Sequence, residues 1–232
     1  MTTATRRVSV IVPVYNRRDV VAETVESVLA QTHPDVEVHI VDDGSTDGTR
    51  ERITELAAAD ARVHVSHQKN AGPGAARNRG LAAADTEWIA FCDSDDLLPV
   101  DSIERRFAWL DANPDHDAVI GRGRTEIIAG ADVPPVIASM AAAGDVNPIV
   151  QTVLIRRSDL LGVGGYDENM RTGEDTDLFF RLRRAGVRIG VAEDVYLIRR
   201  VHGDNLSHEN TRMAKGLLDI VRKDVRESRQ DR

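Results

Sequence analysis

The chain has 232 residues, 41% of them hydrophobic and 29% charged, with a formal net charge of -8. That length suits one α/β unit with a substantial core, and no stretch approaches the ~20 apolar residues of a membrane span. The acidic balance and the lack of a Lys or Arg block exclude nucleic acid as an expected partner, and without an apolar leader after Met1 the expected location is cytoplasmic, with peripheral attachment at a membrane surface left open.

Val8-Ser9-Val10-Ile11-Val12-Pro13-Val14 is a β-branched run suited to a central strand, and Pro13 is expected to stop its ladder. Between Asp19 and Gln31, Val21, Val25, Val28 and Leu29 recur at helical spacing. The alternation repeats with a strand Val36 to Val41, a helix from about Thr49 carrying Ile53, Leu56 and Ala57, and a short strand around Val63 to Val65. An alanine-rich helix containing Ala75, Ala76 and Leu81 then leads into a strand from Trp88 to Cys92. Strands alternating with helices predict a mostly parallel, Rossmann-like sheet with helices on both faces, and such sheets bind ligands at the carboxyl ends of their strands.

The second half is less regular. A helix starting near Leu97 or Pro99 and carrying Ile103, Phe107 and Leu110 precedes a strand Ala118 to Ile120, a second piece Thr125 to Ala129, and an Ala- and Pro-containing stretch up to Gly144. Thr152 to Ile155 reads as a strand, Glu174 to Ala185 as a helix, and Val187 to Val191 and Val195 to Arg200 as two late strands. Met213, Leu217, Ile220, Val221 and Val225 mark a C-terminal helix whose mixed-charge polar face suits packing on the domain. No Gly-, Ser- or Pro-rich linker divides the chain, so a single domain is expected over 1–232. Within it, about 8–120 forms one half, about 121–207 another, and about 208–232 the last helix. The single cysteine, Cys92, ends an apolar strand and is expected to be a buried structural thiol.

Polar residues collect where this sheet predicts a site. Pro13, Tyr15 and Asn16 end the first strand, Asp42-Asp43-Gly44-Ser45 the second, and Asp93-Ser94-Asp95-Asp96 the Trp88 strand. Side chains at i and i+2 of extended backbone share a face, so Asp93 and Asp95 can grip one cation; as a bare pattern the same acids also suit a helix-capping turn. Asp42 to Gly48 has good turn chemistry, yet two adjacent acids at a strand end also allow one to accept a base N–H while the other supports the loop. Asn70 to Gly80 gives a glycine-rich helix entry beside Arg77, a pattern that accepts anions through backbone N–H groups or serves close packing. Glu174 and Asp175 fall in the first turn of a helix, where the dipole favours acids in any case.

In this order and spacing, VSVIVPVYN, VDDGSTDGT, NAGPGAARNRG, WIAFCDSDD and GGYDENMRTGEDTDLFFRLRRAG resemble the family-2 glycosyltransferases of the GT-A fold, over roughly Val8 to His202. The resemblance implies an inverting enzyme that takes a sugar from a nucleoside diphosphate sugar, UDP-linked for preference, to an unidentified nucleophilic acceptor with Mn2+ or Mg2+. It puts Asp42 or Asp43 on the base and Arg77 near the base or diphosphate. Asp93 would be on the ribose or metal, Asp95 on the metal, and Asp175 would be the catalytic base, with Glu174 orienting it or the acceptor. Pro13, Tyr15, Asn16, Asn70 and Ser94 would complete the nucleotide-sugar site, and His202, after the last strand, is a candidate third metal ligand. Two rival readings are a non-catalytic nucleotide-sugar-binding module and a sugar-nucleotide pyrophosphorylase. The latter needs a glycine-rich, Arg-containing loop after the first strand, where Pro13-Val14-Tyr15-Asn16 stands instead. A dinucleotide-dependent dehydrogenase would need Gly-x-Gly-x-x-Gly at the same turn, and it is missing.

Overall fold

The computed structural model describes residues 6–128, 131, 150–170 and 173–201. The expected C-terminal helix, His202, and most of the stretch up to Gly144 lie outside them. Its strands are β1 (Val8–Val14), β2 (Val36–Asp42), β3 (Val63–His67), β4 (Trp88–Phe91), β5 (Ala118–Ile127), β6 (Leu154–Arg156) and β7 (Ile189–Val201). The helices are α1 (Val21–Leu29), α2 (Thr49–Ala59), α3 (Pro73–Ala83), α4 (Ser102–Ala112), α5 (Arg157–Gly162) and α6 (Glu174–Arg184).

The strands form one sheet in the order β3-β2-β1-β4-β6-β5-β7, and only β6 runs against the rest. Alternation along β1 sorts the core: Val8, Val10, Val12 and Val14 face a cluster that includes Val21, Val25 and Val28 of α1, Ile53 of α2 and Phe107 of α4. Ile11 faces the other cluster, with Leu81 of α3, Leu160 of α5 and Leu178 and Leu182 of α6. The result is an α/β/α arrangement, as expected. Each such fully buried aliphatic side chain contributes about 1.5–3 kcal/mol, so both faces are hydrophobically anchored.

Pro13 does not stop β1, which stays in register with β2 to the pair Val14 and Asp42. Successive residues of a strand turn their backbone groups to opposite neighbours. Ile11 accepts a bond from Cys92 N at 3.1 Å, and Asp43 N reaches Val14 O on the other side at 2.8 Å. Pro13 therefore turns its missing N–H towards the β4 side, just past the last β4 pair, and costs the β2 ladder nothing.

Four expected boundaries are corrected. α4 starts at Ser102, because Leu97 is held in an antiparallel bridge with Ile198, with N to O distances of 3.0 and 2.8 Å. The two pieces expected at 118–129 are one strand, and so are the two at 187–200. The β5–β7 pairing jumps in register between Ile120 and Arg122, and the bulge interrupts both hydrophobic patterns without ending either strand. Gly121 makes this crossing possible, since a Cβ there would lie 2.4 Å from Tyr196 Cδ2. Thr152 belongs to a 3-10 turn, so β6 begins at Leu154, and α5 follows it directly without having been anticipated.

Candidate functional site

The carboxyl ends of β1, β2 and β4 are neighbours, and their loops interlock there. Asn16 adopts φ 52°, a left-handed conformation that Asn tolerates, and its Oδ1 accepts from Thr46 N at 2.8 Å. Its own N–H donates to Ser45 Oγ at 3.0 Å. Gly44, at φ +80°, packs against the loop after β3, where a Cβ would meet Asn70 N at 2.9 Å. Tyr15 is exposed, Asn70 is exposed, and Pro13 and Ser94 are buried.

The two acids of that loop have different surroundings. Asp42 is sealed: Oδ1 accepts from Ser45 N at 2.9 Å, and Oδ2 pairs with His67 Nδ1 at 3.1 Å. Burial works to raise its pKa, but the bonds from Ser45 and His67 outweigh it and hold the carboxyl below its ordinary value. Asp43 organises the entry to α3, accepting from Gln68 Nε2 (2.8 Å), Ala71 N (2.8 Å) and Gly72 N (2.9 Å).

The second cluster centres on Arg77. Its guanidinium is buried, with Nη2 donating to Asp93 Oδ1 at 2.8 Å and Nη1 pointing at Glu174 Oε1 (3.3 Å) and Asp175 Oδ1 (3.5 Å). Burial works against its charge, yet Asp175, Asp93 and Glu174 raise its pKa well above the ordinary value. The Tyr166 ring lies 5.3 Å from the guanidinium carbon. Tyr166 is positioned by Asn78 of α3, whose Nδ2 donates to Tyr166 O at 2.9 Å and whose Oδ1 accepts from Tyr166 N at 2.7 Å. Gly165, at φ +68°, is required beside it, because a Cβ would meet Asn78 Oδ1 at 2.4 Å.

Three carboxylates around one guanidinium leave excess negative charge. Burial pushes Asp175 up to about 6; Arg77 opposes this, while Glu174 and Asp93 reinforce it. The Tyr166 hydroxyl lies near enough to lower the Asp175 pKa somewhat, although it makes no hydrogen bond of standard geometry. The Asp175 side chain keeps 31% exposure, so it reaches solvent and a ligand.

The Asp93 to Asp96 acids divide. Asp93 accepts on Oδ2 from Gln151 Nε2 at 2.6 Å in addition to Arg77, and Asp95 Oδ2 meets Arg17 Nε at 3.3 Å. Asp96 is buried and accepts Arg200 N at 2.9 Å, bracing β7 against the loop. Burial, and then the charges of Asp93 and Asp95, raise its pKa well above the carboxylate range. The site therefore has two carboxylates two residues apart, each already paired with an arginine. That donor set is hard and oxygen-only, and it fits a divalent ion of the Mg2+ or Mn2+ class. Cys92 is buried beside these acids, and burial pushes its thiol well above the ordinary value, as a structural thiol requires.

Thus Arg77, Asp93, Glu174 and Asp175 meet directly, Asp95 meets Arg17, and Asn16, Asp42 and Asp43 belong to the interlocked loops. Sequence reasoning missed Arg17, Gln151 and Tyr166. Arg17 directly follows the Tyr15-Asn16 turn and Tyr166 follows paired glycines, which are usable signals; Gln151 sits after the irregular region and carries none.

The sequence profile of "Glycosyl transferase family 2" matches residues 9–170. An uncharacterized glycosyltransferase of Rickettsia felis is 33% identical over 223 residues, which cover 93% of this chain and 36% of that protein. This chain spans about a third of the length of that curated relative. Among solved structures, residues 1–349 of TarS from S. aureus in complex with UDP-GlcNAc align with a TM-score of 0.70 at 27% identity, covering 88% of this chain and 61% of that one. A mannosyltransferase from Pyrobaculum calidifontis, in complex with GDP-Man and Mn2+, shares the fold with a TM-score of 0.72 at 24% identity, covering 97% of this chain and 65% of that one.

Proposed function

This chain belongs to glycosyl transferase family 2 and has the GT-A fold, and we propose that it transfers a sugar from a nucleoside diphosphate sugar, with inversion, to a nucleophilic group of an acceptor. The observation that carries this reading is the single guanidinium of Arg77, which joins the strand-end acid Asp93 to Glu174 and Asp175. That cluster would bring donor-side charge beside a half-buried carboxylate with a raised pKa.

Asp43 is the better candidate for the base. Both acids are buried, but Asp43 has one lone-pair direction left after three donors, whereas Asp42 lies under His67 and Arg50. A UDP-linked donor is favoured by the UDP-GlcNAc that the S. aureus TarS structure contains. Asp95 and Asp93 would hold a divalent cation, and bound there it would supply positive charge for the departing diphosphate.

Asp175 accepts the acceptor proton while that oxygen attacks the anomeric carbon and the carbon to diphosphate bond breaks, its electron pair leaving with the nucleoside diphosphate. A single displacement needs one base on the face opposite the leaving group, and a pKa near 6 keeps Asp175 ionised at neutral pH while making it a stronger base than an ordinary Asp. Arg77 fixes the Asp175 carboxylate and keeps Asp93 oriented; Glu174, buried against the same guanidinium, sets the position of both. The test is turnover of a panel of UDP-, GDP- and dTDP-sugars with and without Mn2+, with mass detection of the product. Donor binding without transfer or hydrolysis across the panel would instead favour a binding module.

A further inference from the structure

Glu37, His39 and His64 form a second constellation, away from the strand ends that carry the acids above. Glu37 and His39 are two residues apart on β2 and so project from the same face, and His64 of β3 is the direct register partner of His39. One ligand atom from each lies within 4.8 Å of the other two. Glu37 is five residues before Asp42, roughly 16 Å along an extended strand, so this is not the donor site.

We propose that these three side chains form a Zn2+-class transition-metal site that clamps the edge strand β3 to β2. Two imidazoles and a carboxylate are a known zinc donor set that leaves a fourth position for water. The carboxylate is held from behind: Ser9 Oγ donates to Glu37 Oε1 at 2.7 Å and is itself bonded to Thr86 Oγ1 at 2.8 Å. His39 Nε2 is already 2.8 Å from Glu37 Oε1, close to a ligand-to-ligand separation. His64 is the adaptable arm. Its side chain is 49% exposed, its ring lies 4.8 Å from that of His39, and its Nε2 is 3.8 Å from Glu37 Oε2, so a side-chain rotation without backbone movement closes the triad. Arg7 also touches Glu37 Oε2, at 3.2 Å, but it is half exposed and bonded equally to Asp85, which retains it when a metal takes the carboxylate. His64 lines two clefts, of about 300 and 150 Å³, that give an ion access from solvent.

The test uses the full, tag-free chain titrated with Co2+, followed by Zn2+ displacement. One equivalent of Co2+ should give visible d–d bands of tetrahedral intensity and raise the Tm. His64→Ala and Glu37→Gln should weaken binding at least about tenfold, at or beyond the 10–100-fold range seen when metal-site supports are removed. Asp95→Ala, which removes a carboxylate of the donor site, should leave the tetrahedral d–d bands unchanged. Zn2+ should also shift the imidazole 15N resonances of His39 and His64 in the unsubstituted protein, a readout that needs no variant to fold. Binding indifferent to His64→Ala, tetrahedral bands abolished by Asp95→Ala, or unmoved histidine resonances would each overturn the proposal.

Discussion

Asp175→Asn separates chemistry from architecture. The substitution keeps the shape of the side chain, removes its basicity, and removes one of three carboxylates around Arg77. Loss of a general base costs about 10²–10⁴ in rate, so transfer should fall by that factor while donor binding stays nearly intact. Stability should move the other way. The Asp175 pKa rises from 3.8 to about 6 on folding; about two units at 1.36 kcal/mol each gives ~3 kcal/mol as a ceiling, and partial exposure reduces this to about 2 kcal/mol. The sign follows from proton linkage: the folded state binds this proton more tightly than the unfolded one. The stability it contributes is complete below pH 3.8 and lost as pH rises through about 6. At pH 8 the variant should therefore melt about 4–8 °C above the unsubstituted protein, with the gap closing towards pH 4. The assay pairs single-turnover transfer between pH 5 and 8, where the unsubstituted protein should gain rate with an apparent pKa near 6, with thermal melts at the same pH values. Activity within twofold of the unsubstituted protein, or a lower Tm at pH 8, would refute this role for Asp175.

Arg77→Ala should destabilise the fold by about 3–5 kcal/mol in urea denaturation, because it strands Asp93, Glu174 and Asp175 without their shared buried cation. Asp43→Asn should lower stability by about 1–3 kcal/mol and weaken UDP-sugar binding in calorimetry, since an amide nitrogen facing Gly72 N–H replaces an acceptor with a donor. Arg17→Ala should tighten Mn2+ binding in calorimetry several-fold by removing the guanidinium that competes for Asp95 Oδ2; unchanged or weaker Mn2+ binding would count against Asp95 as a metal ligand.

Much of the first half was legible because its signals are local. The β-branched run at Val8 to Val14 and the apolar spacing of Val21, Val25 and Val28 set elements whose burial matches the pattern. Strand-end acids could be placed at one edge because parallel strands in sequence order must bring their carboxyl ends together. Asp96 lies outside the Asp93 and Asp95 pair and is bonded to Arg200 N instead. Residues on β5 and β7 were harder to read, since a bulge at Gly121 depends on the Tyr196 ring some 75 positions later and leaves no periodic trace at either place.

By itself the sequence determined the kinds of residue available at the site: paired acids after two strands, a glycine-led helix carrying Arg77, and Glu174-Asp175 at a helix start. Tertiary structure alone decided which of them share charge. Arg77 and Glu174 are 97 positions apart, and Arg17 and Asp95 are 78 apart. Burial and Coulomb interactions depend on distance in space, which no local spacing encodes, so the raised pKa values of Asp175 and Asp96 and the arginine-matched pair Asp93 and Asp95 exist only once the sheet has folded.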